Sequence, residues 1–165
     1  MTATRSVSSS RVHSRPAARR GRAPVLLDTN ALFLPVRTRF PLEAEVDRIC
    51  PGASLWVPAS VHDELDRLVA REVPGARVAS ELARRFPTLP SVGQGDAAIL
   101  DAALRHRAWV VTADRALAER LRGHGISVLI PRDRQRLELL RGHRVAPAVP
   151  ISAARRKPPR RRQRL

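Results

Sequence analysis

With 165 residues, a single cysteine and a formal charge of +16, the chain has room for one domain with a real core and no internal disulfide or multi-cysteine metal site. The charge is uneven: residues 1–22 hold six Arg and no acid, residues 142–165 hold seven Arg, Lys157 and no acid, and residues 23–141 set 17 Arg against 15 acids. No apolar run approaches transmembrane length, and the five histidines are scattered without metal-ligand spacing.

Both ends are rich in Arg, Ser, Ala and Pro and poor in aromatics. Such composition buries too little apolar surface to offset chain entropy, so both read as disordered arms. Residues 1–22 lack an apolar secretory core and a clear amphipathic face, which favours a cytoplasmic arm over a leader. Arg155, Arg156 and Lys157, then Arg160, Arg161 and Arg162, flank Pro158-Pro159 in a pattern suited to tracking a phosphate backbone by charge. No apolar face lies beside these cations to anchor a membrane, so RNA or DNA is the better partner than lipid.

The domain opens at Pro24. Val25-Leu26-Leu27 reads as a buried strand of a parallel sheet, and the chain turns polar at once in Asp28-Thr29-Asn30. Open α/β sheets bind ligands at the carboxyl ends of their strands, which makes Asp28 a candidate site acid; the plainer reading is a helix cap from Asp28 or Asn30. Ala31 to Leu34, interrupted by Pro35, reads as a connector, and Arg37 and Arg39 as solvated surface with phosphate contact as the alternative. A helix is predicted from Pro41 to Ile49, stopped by Pro51-Gly52, and Leu55-Trp56-Val57 is the second strand.

Ser60 is a predicted N-cap for a helix over Val61 to Ala70, whose apolar face is Val61, Leu65, Leu68 and Val69. Asp63 lies opposite that face and Glu64 on its flank, either looking inward or solvated. Pro74-Gly75 breaks the chain before a helix around Val78 to Arg85; residues 90–95 are loop. The next helix, 96–106, carries a predicted buried stripe of Ile99, Leu100, Ala103 and Leu104, with Asp96 at its head and Asp101 toward water. A carboxylate heading a buried stripe needs a helix N-terminus, a cation or a metal to offset its burial.

Trp109 to Thr112 is the third strand, and Asp114 repeats the arrangement at Asp28, either as a site acid or as the cap of the helix Arg115 to Arg122. Ile126 to Ile130 is a fourth strand; Leu137, Leu139 and Leu140 are too few to separate strand from helix. This order predicts an α/β three-layer sandwich with a central, mainly parallel sheet over residues 23–141, flanked by the basic arms.

Two of the four acids end strands and two begin helices, the way a parallel sheet gathers distant residues at one edge. Four neighbouring carboxylates cannot all ionise without a compensating charge, and oxygen-only ligands point to Mg²⁺ or Mn²⁺ over Zn²⁺. Such ions activate water and stabilise charge on a phosphodiester undergoing in-line attack.

These fragments resemble the PIN-domain nucleases over residues 24–140. Val25-Leu-Leu-Asp28-Thr-Asn30 is similar to the family's opening strand, and Val57-Pro58 through Val61-His62-Asp63-Glu64-Leu65 to its second-acid helix. Gly95-Asp96-Ala-Ala-Ile-Leu resembles the third acid segment, and Val110-Val111-Thr112-Ala113-Asp114 with Gly125-Ile126-Ser127-Val128 the closing block. The resemblance implies Mg²⁺- or Mn²⁺-dependent cleavage of single-stranded RNA, with Asp28, Glu64, Asp96 and Asp114 as catalytic metal ligands, directly or through water. It also implies that Thr112 holds one of these or a water and that Asn30 orients Asp28. The partners it implies are a second copy of the chain, a protein inhibitor where members act as toxins, or a ribonucleoprotein. Position 116, acidic in some members, is Ala116 here, which leaves one-metal and two-metal chemistry open.

Two rivals stand beside this reading. A haloacid-dehalogenase-like phosphatase also starts with a strand ending in Asp, but needs a second acid at position 30 and a Lys near the site; Asn30 and the absence of Lys from residues 23–141 disfavour it. A PIN-like RNA-binding or assembly module without turnover is the other.

Overall fold

Val25, Leu26 and Leu27 are all fully buried, although successive side chains of a strand point to opposite faces. A strand dry on both faces needs covering layers above and below it, and the rest of the chain supplies them. The computed structural model describes residues 23–143. Arg155, Arg156, Lys157, Arg160, Arg161 and Arg162 therefore lie outside the described residues, as does the N-terminal arm.

The element order is β1 (Val25–Leu27), α1 (Thr29–Thr38), α2 (Leu42–Ile49), β2 (Leu55–Pro58), α3 (Ala59–Ala70), α4 (Ala76–Ala83) and β3 (Thr88–Leu89). It continues with α5 (Gly95–His106), β4 (Trp109–Val111), α6 (Arg115–Gly123), β5 (Val128–Pro131) and β6 (Leu137–Leu140). The sheet runs β3-β2-β1-β4-β5-β6. All pairs are parallel except β5 with β6. The expected α/β sandwich with a mainly parallel sheet is what forms. Among the described residues, no helix is long and apolar enough to cross a membrane.

Three local expectations are corrected. The connector after Asp28 is the helix α1, with Pro35 inside it. Pro35 removes one donor, but its own carbonyl still accepts from Arg39 N–H at 3.0 Å, and buried Ala31, Leu32 and Phe33 anchor the preceding turn. The Arg37 guanidinium stacks over the Phe33 ring at 4.6 Å from its centroid, about 14 Å along the helix from Asp28 by helical rise. Arg37 and Arg39 thus belong to the far end of α1.

The buried stripe of α5 is Ala98, Ile99, Ala102 and Ala103, while Leu104 is 48% exposed. Three alanines let this helix approach its neighbours closely, and the contact seam turns toward them. Ser60 does not cap α3, which begins one residue earlier. Its backbone N–H donates to Ser91 Oγ at 2.9 Å, so a residue of the loop before α5 satisfies the helix start.

The undecided leucines near residue 140 form β6 because Asp133 shapes the turn before it. Its Oδ1 accepts from the N–H groups of Gln135 and Arg136 at 2.8 and 2.9 Å, an Asx arrangement that reverses the chain. Glu45 and Arg48 on α2 then bind Leu137. Glu45 Oε2 accepts from Leu137 N–H and Arg48 donates to Leu137 O, each at 2.9 Å. Two further hydrogen bonds, at 2.9 and 2.7 Å, join Arg48 to Glu45. Hydrogen bonding to Arg48, against the opposing effect of burial, holds the Glu45 carboxyl at about 2, well below its usual range.

Candidate active site

The chain lays β1 at the centre, builds outward to β3, and returns with β4 on the other side of β1. The carboxyl ends of β1 and β4 therefore face a topological switch point, where open α/β sheets leave a crevice for ligands. Leu27 is in register with Val111, so the first residues beyond the two strands are Asp28 and Thr112. Asp28 N–H extends the ladder by one bond to Val111 O at 3.1 Å.

Thr112 is fully buried. Its Oγ1 donates to Asp28 Oδ2 at 2.7 Å and accepts from Asp114 N–H at 3.0 Å. A hydroxyl has one hydrogen, and Asp114 N–H occupies an acceptor lone pair, so that hydrogen is committed to Asp28. Asp28 occupies the N-cap position of α1 yet makes no side-chain cap bond. Its carboxyl is turned to Thr112 instead.

Burial pushes the Asp28 carboxyl above the ordinary carboxylate range, and the nearby Glu64 charge adds to that push. The Thr112 hydroxyl and, to a smaller degree, the N–H groups of Thr29 and Asn30 pull the other way. The Asn30 residue itself is exposed.

Glu64 reaches this edge from α3, the helix that follows β2 on the other flank of β1. Its Oε2 accepts from Thr29 Oγ1 at 2.7 Å, and Thr29 is itself buried next to Asp28. Asp63, one residue earlier, is exposed, as its helical position predicts. Asp114 does cap α6, with Oδ1 accepting from Leu117 N–H at 3.0 Å. The capping role and a site role are compatible, because a carboxylate has a second oxygen.

Asp96 stands in the first turn of α5 and is paired with Arg120 of α6, Oδ2 to Nη1 at 2.8 Å. Hydrogen bonds thus link Asp28 to Asp114 through Thr112, Thr29 next to Asp28 holds Glu64, and Asp96 is tied to the helix that Asp114 caps. Among the described residues, no group of three or more His, Cys, Asp or Glu is already drawn together closely enough to hold an ion. The donor chemistry nevertheless suits a hard divalent cation: a buried carboxyl with a raised pKa next to a second acid, and oxygen atoms throughout.

Thr29 and Arg120 are partners of the candidate acids that sequence reasoning missed. Thr29 stands inside the Asp28-Thr29-Asn30 segment, but its partner is 35 residues away. Arg120 is 24 residues from Asp96, and no helical or strand spacing signals that pair.

A family model described as "PIN like domain" matches residues 25–134. The fold is similar to the PIN domain endonuclease Utp24, with a TM-score of 0.60 and 25% identity, covering 71% of this chain and 92% of that one. It is also similar to a domain of a functionally unknown protein from Methanocaldococcus jannaschii DSM 2661, with a TM-score of 0.51 and 15% identity, over 68% of this chain and 93% of the other. No curated protein matches the chain. The matched span opens at β1 and runs past β5, enclosing all four acids and Thr112, and on that ground the chain belongs to the PIN-like domain family.

Proposed function

We propose that the chain is a divalent-metal-dependent endoribonuclease that hydrolyses phosphodiester bonds of single-stranded RNA in the cytoplasm. The observation that carries this reading is the Asp28 carboxyl, buried at the switch point, with its pKa raised by burial and held by Thr112. A buried anion so arranged gains from a cation, and Glu64 and Asp114, carried on elements from either flank of β1, are the acids that would share it. Asp96 completes the acid set from α5.

Mg²⁺ or Mn²⁺ held by these carboxylates would supply charge stabilisation and an activated water at a phosphodiester. The protein's own contribution is preorganisation. Thr112 holds Asp28 as an acceptor, and Thr29 does the same for Glu64. The arms, with Arg155, Arg156, Lys157, Arg160, Arg161 and Arg162, add attraction for the polyanion without reading its sequence. Such arms suit processing of a stable RNA or ribonucleoprotein more than a small toxin's task, and position 116 being Ala116 favours weaker holding of a second metal.

The similarity to the endonuclease Utp24 supports the enzymatic reading. One observation favours a second, an RNA-binding module without turnover: Asp96 already has a cation partner in Arg120. The separating experiment incubates the full chain with end-labelled single-stranded RNA and Mn²⁺. Cleavage lost in Asp28→Asn and Asp96→Asn while RNA binding persists supports the nuclease; binding with no Mn²⁺-dependent cleavage by the native chain overturns it.

A further inference from the structure

Of the four candidate acids, Asp96 alone has an ion-pair partner among the described residues. That partner comes from α6, the helix whose N-terminus Asp114 caps. The contact is short but open: the Arg120 side chain is 53% exposed and the Asp96 side chain 45%. Pairs this exposed contribute little to stability, so the pair is weakly held and readily exchanged. Arg120 spans from α6 to the first turn of α5, and its guanidinium carries further donors in a fork that matches phosphate oxygens.

Resting on the nuclease reading above, we infer that Arg120 is a positioning residue with two stations, neutralising Asp96 while the site is empty and passing to an RNA phosphate when a divalent ion takes Asp96 over. Arg120 occupies only Oδ2 of Asp96, but a divalent ion on the same carboxylate meets the like charge of the guanidinium, so the two compete for Asp96. The released guanidinium stays on α6, the helix whose N-terminus Asp114 caps, and is free to meet the phosphate of an RNA bound at the acids. The exchange keeps Asp96 neutralised: a singly charged guanidinium leaves as a doubly charged ion arrives. Metal uptake and RNA uptake are then coupled through one side chain, each favouring the other.

The coupling predicts opposite signs for two affinities, which a merely structural role does not. In Arg120→Gln, Mn²⁺ binding measured by titration calorimetry without RNA becomes about three- to tenfold tighter, because the competing cation is gone. Single-stranded RNA binding in the presence of Mn²⁺ becomes weaker by a similar factor, and Arg120→Lys recovers most of it. In an Asp96→Asn background the Arg120→Gln change leaves Mn²⁺ affinity where it was, since the two residues act through each other. Mn²⁺ affinity unchanged or weakened in Arg120→Gln, with the native chain binding Mn²⁺ normally, overturns the role of Arg120 alone. A native chain that binds no Mn²⁺ overturns the nuclease reading and takes this inference with it.

Discussion

Thr112 donates its hydroxyl hydrogen to Asp28, 84 positions away in the chain, at 2.7 Å and out of contact with solvent. The same oxygen accepts from the N–H of Asp114. One side chain therefore fixes the orientation of one acid and the backbone of another. Replacing it with the isosteric valine strips Asp28 Oδ2 of its donor and leaves Asp114 N–H without an acceptor. Thr112→Val is expected to cost about 1–3 kcal/mol in urea unfolding, the typical penalty for orphaned buried polar groups. Thr112→Ser, which keeps the oxygen, recovers most of that loss, and RNA cleavage follows the same ranking.

Asp28 carries a cost that its own replacement relieves. Its carboxyl is raised in the folded protein, mainly by burial, so the fold penalises its ionised form above that raised pKa and the penalty fades as pH falls through it. Metal-free Asp28→Asn should therefore melt above the native protein at neutral pH, and the gap should narrow on acidification. Mn²⁺ reverses the ranking. At a hundredfold excess over its Kd the native protein gains about 2.7 kcal/mol and the variant little, with EDTA restoring the original order. Thermal scans at several pH values, with and without Mn²⁺, check both signs.

Glu45 has the opposite linkage. Arg48 holds its carboxyl at about 2, against 4.5 for the free group, so the pair stabilises the fold fully above pH 4.5 and progressively less as pH drops toward 2. Glu45→Gln removes that dependence. The urea midpoint of the native chain should fall more steeply across this window than that of the variant, and a parallel decline in the two would contradict the assignment.

Gly142 is present for lack of room. A Cβ there would collide with the Gly125 carbonyl group and lie 2.6 Å from Ile126 N, backbone atoms that cannot swing aside. Gly142→Ala should cost about 1–3 kcal/mol through displacement of the segment beyond β6, as overpacking does elsewhere. Gly123→Ala is the control. Nothing lies within 4 Å of its added Cβ, so its unfolding midpoint should hold or rise.

Elements with a long period or a buried run were legible in the residues: the apolar run at Val25, the stripe at Val61 and Leu65, and the β-branched pair at Val110 and Val111. The elements that were not legible depend on partners. Helix α1 hides behind Pro35, whose cost is offset by burial of Phe33 and Leu32. Strand β3 spans two residues and exists through pairing with Val57 and Pro58. Leu104 fits the helical stripe by arithmetic and still faces water, because three alanines define the closer seam. At the site, acids at strand ends and helix starts could be read from position, whereas Thr29 holding Glu64 and Arg120 holding Asp96 could not. Those contacts are made by tertiary approach, which no local pattern encodes.

The clamp of Glu45 and Arg48 on Leu137 has a bearing on how the molecule behaves in a crowd. Both backbone groups of Leu137 that turn outward from β5 are already occupied, one by a carboxylate and one by a guanidinium. A stray extended peptide seeking to lengthen the sheet at this rim would have to evict an ion pair before gaining its first rung. The opposite rim offers only the two residues of β3. Sheet extension is thus obstructed at the start of β6 and finds little strand to build on at β3.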